Sequence, residues 1–240
     1  MNVLSTESPY NTESNQSKKI ALVLFSRTES HEASVRKLHP DQIINSQAIA
    51  IMIRHTAALL EQTDFDVIRI TRQEGTEFGT RFTNTLKKAF GKGYDSVIIV
   101  GNDCPSLTTS DIEHTALKLQ EGSNVIGPCK DGGIWLLGLQ KEALKEFISA
   151  ELPWQTDLLC TRIISLFDRL EYQYLCLDSR TDFDKPEDLI TVLNETRGLL
   201  KLSLIKLLLS ENESAVHISE KSAEDADWTE HFLRAPPMGC

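Results

Sequence analysis

Asp103 stands at a position where an α/β protein could use a carboxylate. It follows Gly101 and the apolar run Val97 to Val100, and Pro105 comes two residues later. An unbroken run of β-branched residues is typical of a central strand buried on both faces. Open α/β sheets bind their ligands beyond the carboxyl ends of such strands. The alternative is that Asp103 only ends the strand, as Asp beside Gly and Pro often does.

A second acidic segment, residues 182–188, adds two carboxylates to this hypothesis. Asp184 has a structural alternative, because it could cap a following helix with Glu187 completing a capping box. Capping does not explain Asp182. Asp103, Asp182 and Asp184 together would form an oxygen-ligand set suited to Mg²⁺ or Mn²⁺, and such an ion could neutralise a leaving diphosphate.

Two further loops carry residues that could contact a substrate. Asp131 is followed by Gly132 and Gly133. Asp-Gly is a strong hairpin signal, but a second glycine often marks a close approach of a sugar or phosphate to the backbone. Trp154 and Thr156 lie in a later loop, where the tryptophan could either stack on a ligand or pack in the core.

Five residues are candidates for phosphate binding: Arg27, Arg36, Lys37, Gly79 and Arg81. The first three fall in a loop predicted over residues 26–40, and they could equally be solvated side chains. That loop has no glycine, which excludes a P-loop or a dinucleotide-binding fingerprint. Gly79 and Arg81 stand at a predicted helix start, where backbone amides and an arginine could hold an anion.

Alternating elements predict the scaffold for these residues. Strands are predicted at 19–25, 66–71 and 97–100, and helices at 41–61, 81–90 and 110–121, the last with Ser110 and Glu113 as a capping box. This alternation favours a parallel sheet with right-handed crossovers. Strands at 124–127 and 134–139 then predict a hairpin-like insertion, followed by helices at 141–148, 157–170 and from 185, and a strand at 172–177.

Composition limits the functional classes. The net charge of −10 over 240 residues argues against nucleic acid as a partner. No apolar run reaches 18 residues, so we expect no membrane span. The five cysteines show no C-x-x-C spacing, which indicates neither a zinc site nor a disulfide framework and favours reduced thiols in a cytoplasmic protein. We expect one domain over residues 18–210, a disordered polar leader at 1–17 and an acidic tail at 211–240.

Four segments in this order resemble motifs of the DUF2064 family. They are Gly-Asn-Asp-Cys-Pro-x-Leu-Thr at 101–108, Gly-Pro-x-x-Asp-Gly-Gly-x-x-Leu-Leu-Gly-Leu at 127–139, Pro-Trp-Gln-Thr at 153–156 and Asp-Phe-Asp-x-Pro-Glu-Asp-Leu at 182–189. The resemblance runs from about Lys19 to Leu200. Members of this family are described as candidate glycosyltransferases with the GT-A, nucleotide-diphospho-sugar transferase fold.

The resemblance implies an α/β protein with a GT-A-like, Rossmann-type three-layer sandwich, in which helices flank a mostly parallel sheet. It implies that Asn102 and Asp103 bind the nucleotide, with Asp103, Asp182 and Asp184 as metal ligands. Asp103 and Asp131 become the candidate catalytic residues. Gly79 and Arg81 match the family's Gly-x-Arg, and substrate binding would fall to Gly132, Gly133, Trp154 and Thr156.

The first loop departs from the family pattern. Members usually carry Pro-x-Pro-Gly-x-x-Lys-Thr-Arg-Leu there, whereas residues 26–38 of this chain have neither Pro nor Gly and include Glu29 and Glu32. Either Arg36 and Lys37 replace the lost phosphate grip, or nucleotide binding is weakened or altered.

Three hypotheses therefore stay open. The first is a metal-dependent glycosyltransferase that uses a nucleotide-diphospho-sugar and a small-molecule acceptor. The second is a nucleotidyltransferase that releases pyrophosphate from a nucleoside triphosphate. The third is a non-catalytic, nucleotide-binding member of the family. An amphipathic helix expected at 199–209 could also support a homodimer.

Overall fold

A six-stranded sheet forms the centre of the computed structural model, which describes residues 18–207. The strands are β1 (Ile20–Phe25), β2 (Asp66–Ile70), β3 (Ser96–Val100), β4 (Asn124–Pro128), β5 (Ile134–Gln140) and β6 (Tyr174–Cys176), and their order is β2-β1-β3-β5-β4-β6. β1 pairs in parallel with β2 and β3, and β4 pairs in parallel with β6. β5 lies antiparallel between β3 and β4. The expected mostly parallel sheet with a hairpin-like insertion is confirmed.

Helices flank this sheet. They are α1 (Glu29–Val35), α2 (Gln42–Leu60), α3 (Phe78–Phe90), α4 (Thr109–Gln120), α5 (Leu144–Ser149), α6 (Leu159–Arg169) and α7 (Leu189–Glu195), and residues 198–207 are also helical. The predicted leader at 1–17, the tail at 211–240 and the end of the predicted 199–209 helix lie outside the described residues. β3 is buried along its whole length because Val97 and Ile99 face one core while Ile98 and Val100 face the other. The α/β sandwich expected from the sequence is confirmed.

α2 connects the sheet to a third apolar core. By length and composition this helix could cross a membrane, but half of its apolar window is buried inside the protein. Asn45 in its first turns is also buried: its carbonyl oxygen accepts from the Leu38 amide, and its side-chain amide donates to the carbonyl oxygens of Ala33 and Arg36. Here α2 packs as a core helix, and the absence of a membrane span stays a prediction.

Several sequence-based boundaries are wrong for identifiable reasons. Residues 26–40 are not one loop, because Thr28 caps α1 by accepting from the His31 amide. The polar α1 offers little apolar periodicity, and Ala33 is its buried residue. α3 begins at Phe78 rather than at 81.

Two predicted helix caps are also wrong. Thr108 and Asp111, rather than Ser110 and Glu113, form the capping box of α4. The Asp188 carboxylate accepts from the amides of Asp184 and Lys185, so the Asp184 side chain is not the helix cap. Its carboxylate is therefore left for another role.

Candidate active site

A cavity of about 740 Å³ lies at the carboxyl ends of β1 and β3. Most of the residues singled out in the sequence line it: Arg27, Arg36, Lys37, Arg81, Asn102, Asp103, Asp131, Gly133, Trp154, Thr156, Asp182 and Asp184. Gly79 and Gly132 are not part of its lining. The topology therefore brings six separate loops and α3 together at the sheet edge where open α/β proteins bind ligands.

Phe183 explains how the second acidic segment reaches Asp103. Its backbone amide donates to the Asp103 carbonyl oxygen at 2.7 Å, and its ring is buried in the third core against α2 and α7. The flanking residues Asp182 and Asp184 line the cavity instead. A single buried aromatic ring thus fixes two carboxylates beside the end of β3.

Arg36, at the end of α1, supplies the positive charge closest to these acids. Its Nη1 lies 3.9 Å from Asp103 Oδ2 and 3.7 Å from Asp184 Oδ1, and Nη2 donates to Asn102 Oδ1 at 3.0 Å. The arginine side chain is only 9% exposed, and its Nε has no hydrogen-bond partner among the described residues. Asn102 in turn donates to Ser26 Oγ at 2.6 Å, so Asn102 orients Arg36 and ties β3 to β1.

Burial and mutual repulsion raise the pKa values of three carboxylates in the cavity. Burial, followed by repulsion from Asp103, raises the pKa of Asp182 to about 9. The same two causes raise the pKa of Asp184 to about 6, although Arg36 opposes the change. Burial also raises the pKa of Asp103, and attraction to Arg36 again works against it. Arg36 pairs with two of these three carboxylates, so a further cation would stabilise their ionised forms.

Three potential ligand atoms lie close together beside this group. They belong to Cys129, Asp131 and Asp182, and all three are within 4.8 Å of one another. The sequence analysis did not single out Cys129, because its spacing from the other cysteines matches no metal-binding pattern. Burial raises the pKa of its thiol, with the Asp182 charge as the next cause.

The cavity lining also includes basic and aromatic residues. Arg81 Nη1 donates to the Thr76 carbonyl oxygen at 2.6 Å, and its guanidinium lies 5.8 Å from the centre of the Phe78 ring. Burial, followed by repulsion from Arg27, lowers the pKa of Arg81, so these two arginines lie near each other. Trp154 packs on Phe78 and Phe82, with ring centres 5.7 and 4.9 Å apart. A phosphate and a planar group would both find partners here.

The two acids of the altered first loop, Glu29 and Glu32, have different contacts. Glu29 forms a bidentate pair with Arg54 of α2, outside the cavity lining. Glu32 lines the cavity, but its Oε1 accepts from the Arg27 amide at 3.0 Å. One acid therefore holds α1 on α2, and the other shapes the turn that carries Arg27.

Residues 41–156 match the family model DUF2064, described as "Uncharacterized protein conserved in bacteria". The resemblance to the DUF2064 family is confirmed. The DUF2064 match includes Asp103, Asp131 and Thr156, whereas Arg36 precedes it and the acids at 182 and 184 follow it. Among curated proteins, no sequence matches this chain.

Solved structures extend the comparison to the fold. A candidate nucleotide-diphospho-sugar transferase from Desulfovibrio desulfuricans G20 has a TM-score of 0.63 at 18% identity, over 84% of this chain and 97% of that chain. The 4-diphosphocytidyl-2C-methyl-D-erythritol synthase from Anaerococcus prevotii scores 0.46 at 11% identity, over 73% and 95%. A cytidylyltransferase from Leptospira borgpetersenii scores 0.43 at 12% identity, over 83% and 96%. The first of these likenesses shows that the fold is shared.

Two glycines of the DUF2064 motifs have packing roles. A Cβ at Gly79 would collide with the Trp154 ring, and a Cβ at Gly132 would collide with the Asp157 carbonyl oxygen. Gly132 also has a φ of +91°, which other residues rarely adopt. These contacts explain both glycines without a bound ligand. Their predicted binding roles stay predictions.

Arg180 is a positioning residue that sequence analysis missed. Its guanidinium forms two hydrogen bonds with Asp111, at 2.8 and 2.6 Å, and a third with the Ser106 carbonyl oxygen. It also stacks 4.3 Å from the centre of the Trp135 ring. These contacts anchor the segment before Asp182 to α4 and to the loop after β3. No local pattern could reveal a pair separated by 69 positions.

Proposed function

We propose that this chain is a metal-dependent glycosyltransferase that uses a nucleotide-diphospho-sugar donor and a small-molecule acceptor. The observation that carries the proposal is one cavity lined both by the acids Asp103, Asp182 and Asp184 and by the basic and aromatic residues Arg81 and Trp154. A nucleotide sugar needs both kinds of partner, since its diphosphate needs cations while its planar base and its sugar ring need apolar and polar surfaces. The fold shared with the transferase from D. desulfuricans is compatible with this activity, although fold alone does not establish function.

The residues present fit the divalent ion that the family resemblance implies. Asp182 Oδ1 is excluded from solvent and has no hydrogen-bond partner among residues 18–207. A buried oxygen in that state is destabilising unless a ligand or ion approaches it. Asp103 and Asp184 would complete the predicted Mg²⁺ or Mn²⁺ set. When bound, such an ion would stabilise the charge on the departing diphosphate.

The residues that line the cavity could take separate roles in binding and catalysis. Arg36 and Arg81 would bind and neutralise the diphosphate, because both guanidinium groups line the cavity and neither forms a short ion pair among the described residues. Trp154 would hold a ring of the ligand by stacking. Asp131 is exposed, and its Oδ1 accepts from the Gly133 amide at 2.9 Å, which orients the carboxylate. It could accept the proton of an acceptor hydroxyl as that oxygen attacks the anomeric carbon.

A nucleotidyltransferase is the second candidate, because of where α1 places its basic residues. Arg27, Arg36 and Lys37 all line the cavity despite the missing glycine and proline. A reaction at the α-phosphate of a nucleoside triphosphate requires a firm hold on three phosphates, which these residues could supply. In this alternative the product released is pyrophosphate.

Ligand-induced thermal stabilisation can separate these proposals. UDP-, GDP-, ADP- and CMP-linked sugars and the four nucleoside triphosphates would be tested with and without Mn²⁺. The proteins would be the wild type, Asp103→Asn and the matched control Asp64→Asn, whose side chain is exposed in a turn after α2. Because a ligand at 100 times its Kd stabilises by about 2.7 kcal/mol, a bound nucleotide should raise Tm by several degrees.

The expected result is a shift with a nucleotide sugar that needs both Mn²⁺ and Asp103 and persists in Asp64→Asn. A shift confined to triphosphates, with pyrophosphate release, would favour the nucleotidyltransferase. Binding of either ligand without turnover would leave the non-catalytic hypothesis. The absence of any shift from a folded wild type would contradict nucleotide binding altogether.

A further inference from the structure

The cluster of Cys129, Asp131 and Asp182 combines one thiol with two carboxylates. Their three ligand atoms lie within 4.8 Å of one another, and Cys129 is 5% exposed. Zinc-like ions bind sulfur at about 2.3 Å and oxygen at about 2.1 Å in tetrahedral geometry, so neighbouring ligand atoms on one ion are about 3.5 Å apart. Side-chain movements of about 1 Å would bring these three atoms to one ion.

We infer that Cys129, Asp131 and Asp182 form a binding site for a thiolate-preferring divalent cation of the Zn²⁺ and Co²⁺ class. The inference deepens the proposed function. The role of the ion rests on that proposal, because the ion would lie beside the diphosphate-binding residues. This site shares Asp182 with the Mg²⁺ or Mn²⁺ set predicted from the carboxylates alone, so the two sets are alternatives for that carboxylate. It also departs from the expectation that the cysteines indicate no zinc site, since a mixed site needs no C-x-x-C pair.

The ion pairs in the cavity favour this set over Asp103 and Asp184. Arg36 already lies 3.9 and 3.7 Å from those two carboxylates. Within residues 18–207, Asp131 and Asp182 have no such ion pair. Asp182 Oδ1 is also buried and without a hydrogen-bond partner in the same part of the chain. The Cys129 thiol already forms a hydrogen bond with the Asp182 carboxylate, and a cation between the two side chains would take the place of the thiol proton and approach the unpartnered Oδ1.

The backbone holds the three residues close together before any ion binds. The Cys129 amide donates to the Gly133 carbonyl oxygen at 2.9 Å, and Gly133 donates to Asp131 Oδ1 at the same distance. Arg180 pairs with this turn on its other side: it donates to the Pro128 carbonyl oxygen and accepts from the Lys130 amide. The turn and the segment that leads to Asp182 therefore form one hydrogen-bonded unit.

The thiol determines which ion is preferred. Thiolate ligands select Zn²⁺, Co²⁺ and Cd²⁺ over Mg²⁺, whereas carboxylates alone favour Mg²⁺ or Mn²⁺. On binding, the Cys129 thiol and any protonated carboxyl of the set would release their protons to solvent and ligate as thiolate and carboxylate. Three protein ligands would leave a fourth position open to water or a substrate oxygen.

Cobalt absorption tests the inference without nucleotide or turnover. Co²⁺ would be titrated into the full chain, and the sulfur-to-cobalt charge-transfer band in the near ultraviolet would be recorded. The wild type should show a saturable band. Cys129→Ser should abolish the band and weaken Co²⁺ binding at least 10-fold, while Asp182→Asn should weaken binding by a similar factor.

Two cysteine controls make the result specific. Cys176 is exposed and Cys104 is buried close to Asp182, so Cys176→Ser and Cys104→Ser should both retain the band. Cys129→Ala, with its fold checked by circular dichroism, repeats the test if the serine variant is unstable. A band that survives both Cys129 substitutions, or Co²⁺ binding by the wild type without any band, would overturn the inference.

The cobalt result is independent of the nucleotide screen. A saturable band in a protein that binds no nucleotide would sustain the cation site while the transferase proposal failed. Manganese-dependent nucleotide binding in a protein without the band would support the transferase proposal and contradict the cation site.

Discussion

Arg36 and Asp103 form an ion pair inside the cavity, with Nη1 of the arginine 3.9 Å from Oδ2 of the aspartate. The arginine side chain is 9% exposed, whereas that of Asp103 is 34% exposed. The same guanidinium reaches Asp184 and is held by Asn102. One cation therefore connects α1, the end of β3 and the second acidic segment.

Arg36→Ala should lower both stability and ligand affinity. Two carboxylates lose their cation, and the Asn102 side chain loses a donor. We expect a loss of about 1–3 kcal/mol in the free energy of unfolding, less than for a fully buried pair because both acids are partly exposed. Urea unfolding measures this loss, and calorimetry with the nucleotide found in the screen should show at least about 10-fold weaker binding.

Arg54→Ala is the matched control for Arg36. Arg54 pairs with Glu29, and its side chain is 72% exposed. Removal of an exposed pair costs at most about 1 kcal/mol. Equal effects of the two substitutions on stability and binding would contradict the assigned role of Arg36.

The central sheet could be predicted because β1, β3 and β5 are apolar on both faces. β3 and the insertion of β4 and β5 follow from apolar runs bounded by glycine and turn residues. α2 follows from its cap at Asp41, which accepts from the amides of Ile43 and Ile44. α1 could not be predicted in the same way, because it depends on tertiary contacts such as the Arg54 pair with Glu29 rather than on local apolar spacing.

The acidic residues of the candidate site could be predicted from the sequence, but their contacts could not. Asp103, Asp182 and Asp131 stand out locally as acids beside strands and turns. Arg36 was expected to bind phosphate, but its contact with the acids depends on a helix that was not expected, and Cys129 is an isolated cysteine. The Arg180 contact with Asp111 depends on the crossover connections, which place distant segments side by side.

A double-mutant cycle should show that the Arg180–Asp111 pair is strongly coupled. Their side chains are 19% and 16% exposed, and the pair carries two hydrogen bonds. We expect a coupling energy of about 2–4 kcal/mol from urea unfolding of R180Q, D111N and the double variant. Arg54 and Glu29 also form two hydrogen bonds but are largely exposed, so their cycle should give at most about 1 kcal/mol. Similar values for the two cycles would remove the positioning role from Arg180.

Alanine substitutions in the Asp131 turn should show how tightly its two glycines are packed. Gly132→Ala should cost more than about 2 kcal/mol, since the new Cβ meets the Asp157 carbonyl oxygen at a φ of +91°. Gly93→Ala has nearly the same φ, +92°, with nothing within 4 Å, so it should show the backbone cost alone, about 1 kcal/mol. Gly133→Ala, 3.1 Å from the flexible Asp131 carboxylate, should cost less than about 1 kcal/mol. Thermal unfolding measures all three, and a mild effect at Gly132 would mean that the turn is not packed as described.

Asp182→Asn should stabilise the protein increasingly as pH rises. Burial and Asp103 raise the pKa of Asp182 from 3.8 to about 9, so the folded state holds a proton that the unfolded state has released. Stability from this group is therefore fully present below pH 4 and is lost as pH rises towards 9. Asparagine carries no such charge, and each unit of pKa displacement corresponds to about 1.4 kcal/mol.

With a chelator present to remove cations, Tm of Asp182→Asn and wild type should agree near pH 4. By pH 8 the variant should be higher by at least about 3 °C, since about 1 kcal/mol shifts Tm by 2–4 °C in a domain of this size. Asp64→Asn, in its exposed turn, should follow the wild type throughout. A constant difference between Asp182→Asn and wild type from pH 4 to pH 8 would mean that Asp182 stays ionised in the folded protein. Its carboxylate would then already have a compensating partner, which is the opposite of what its buried, unpaired Oδ1 indicates.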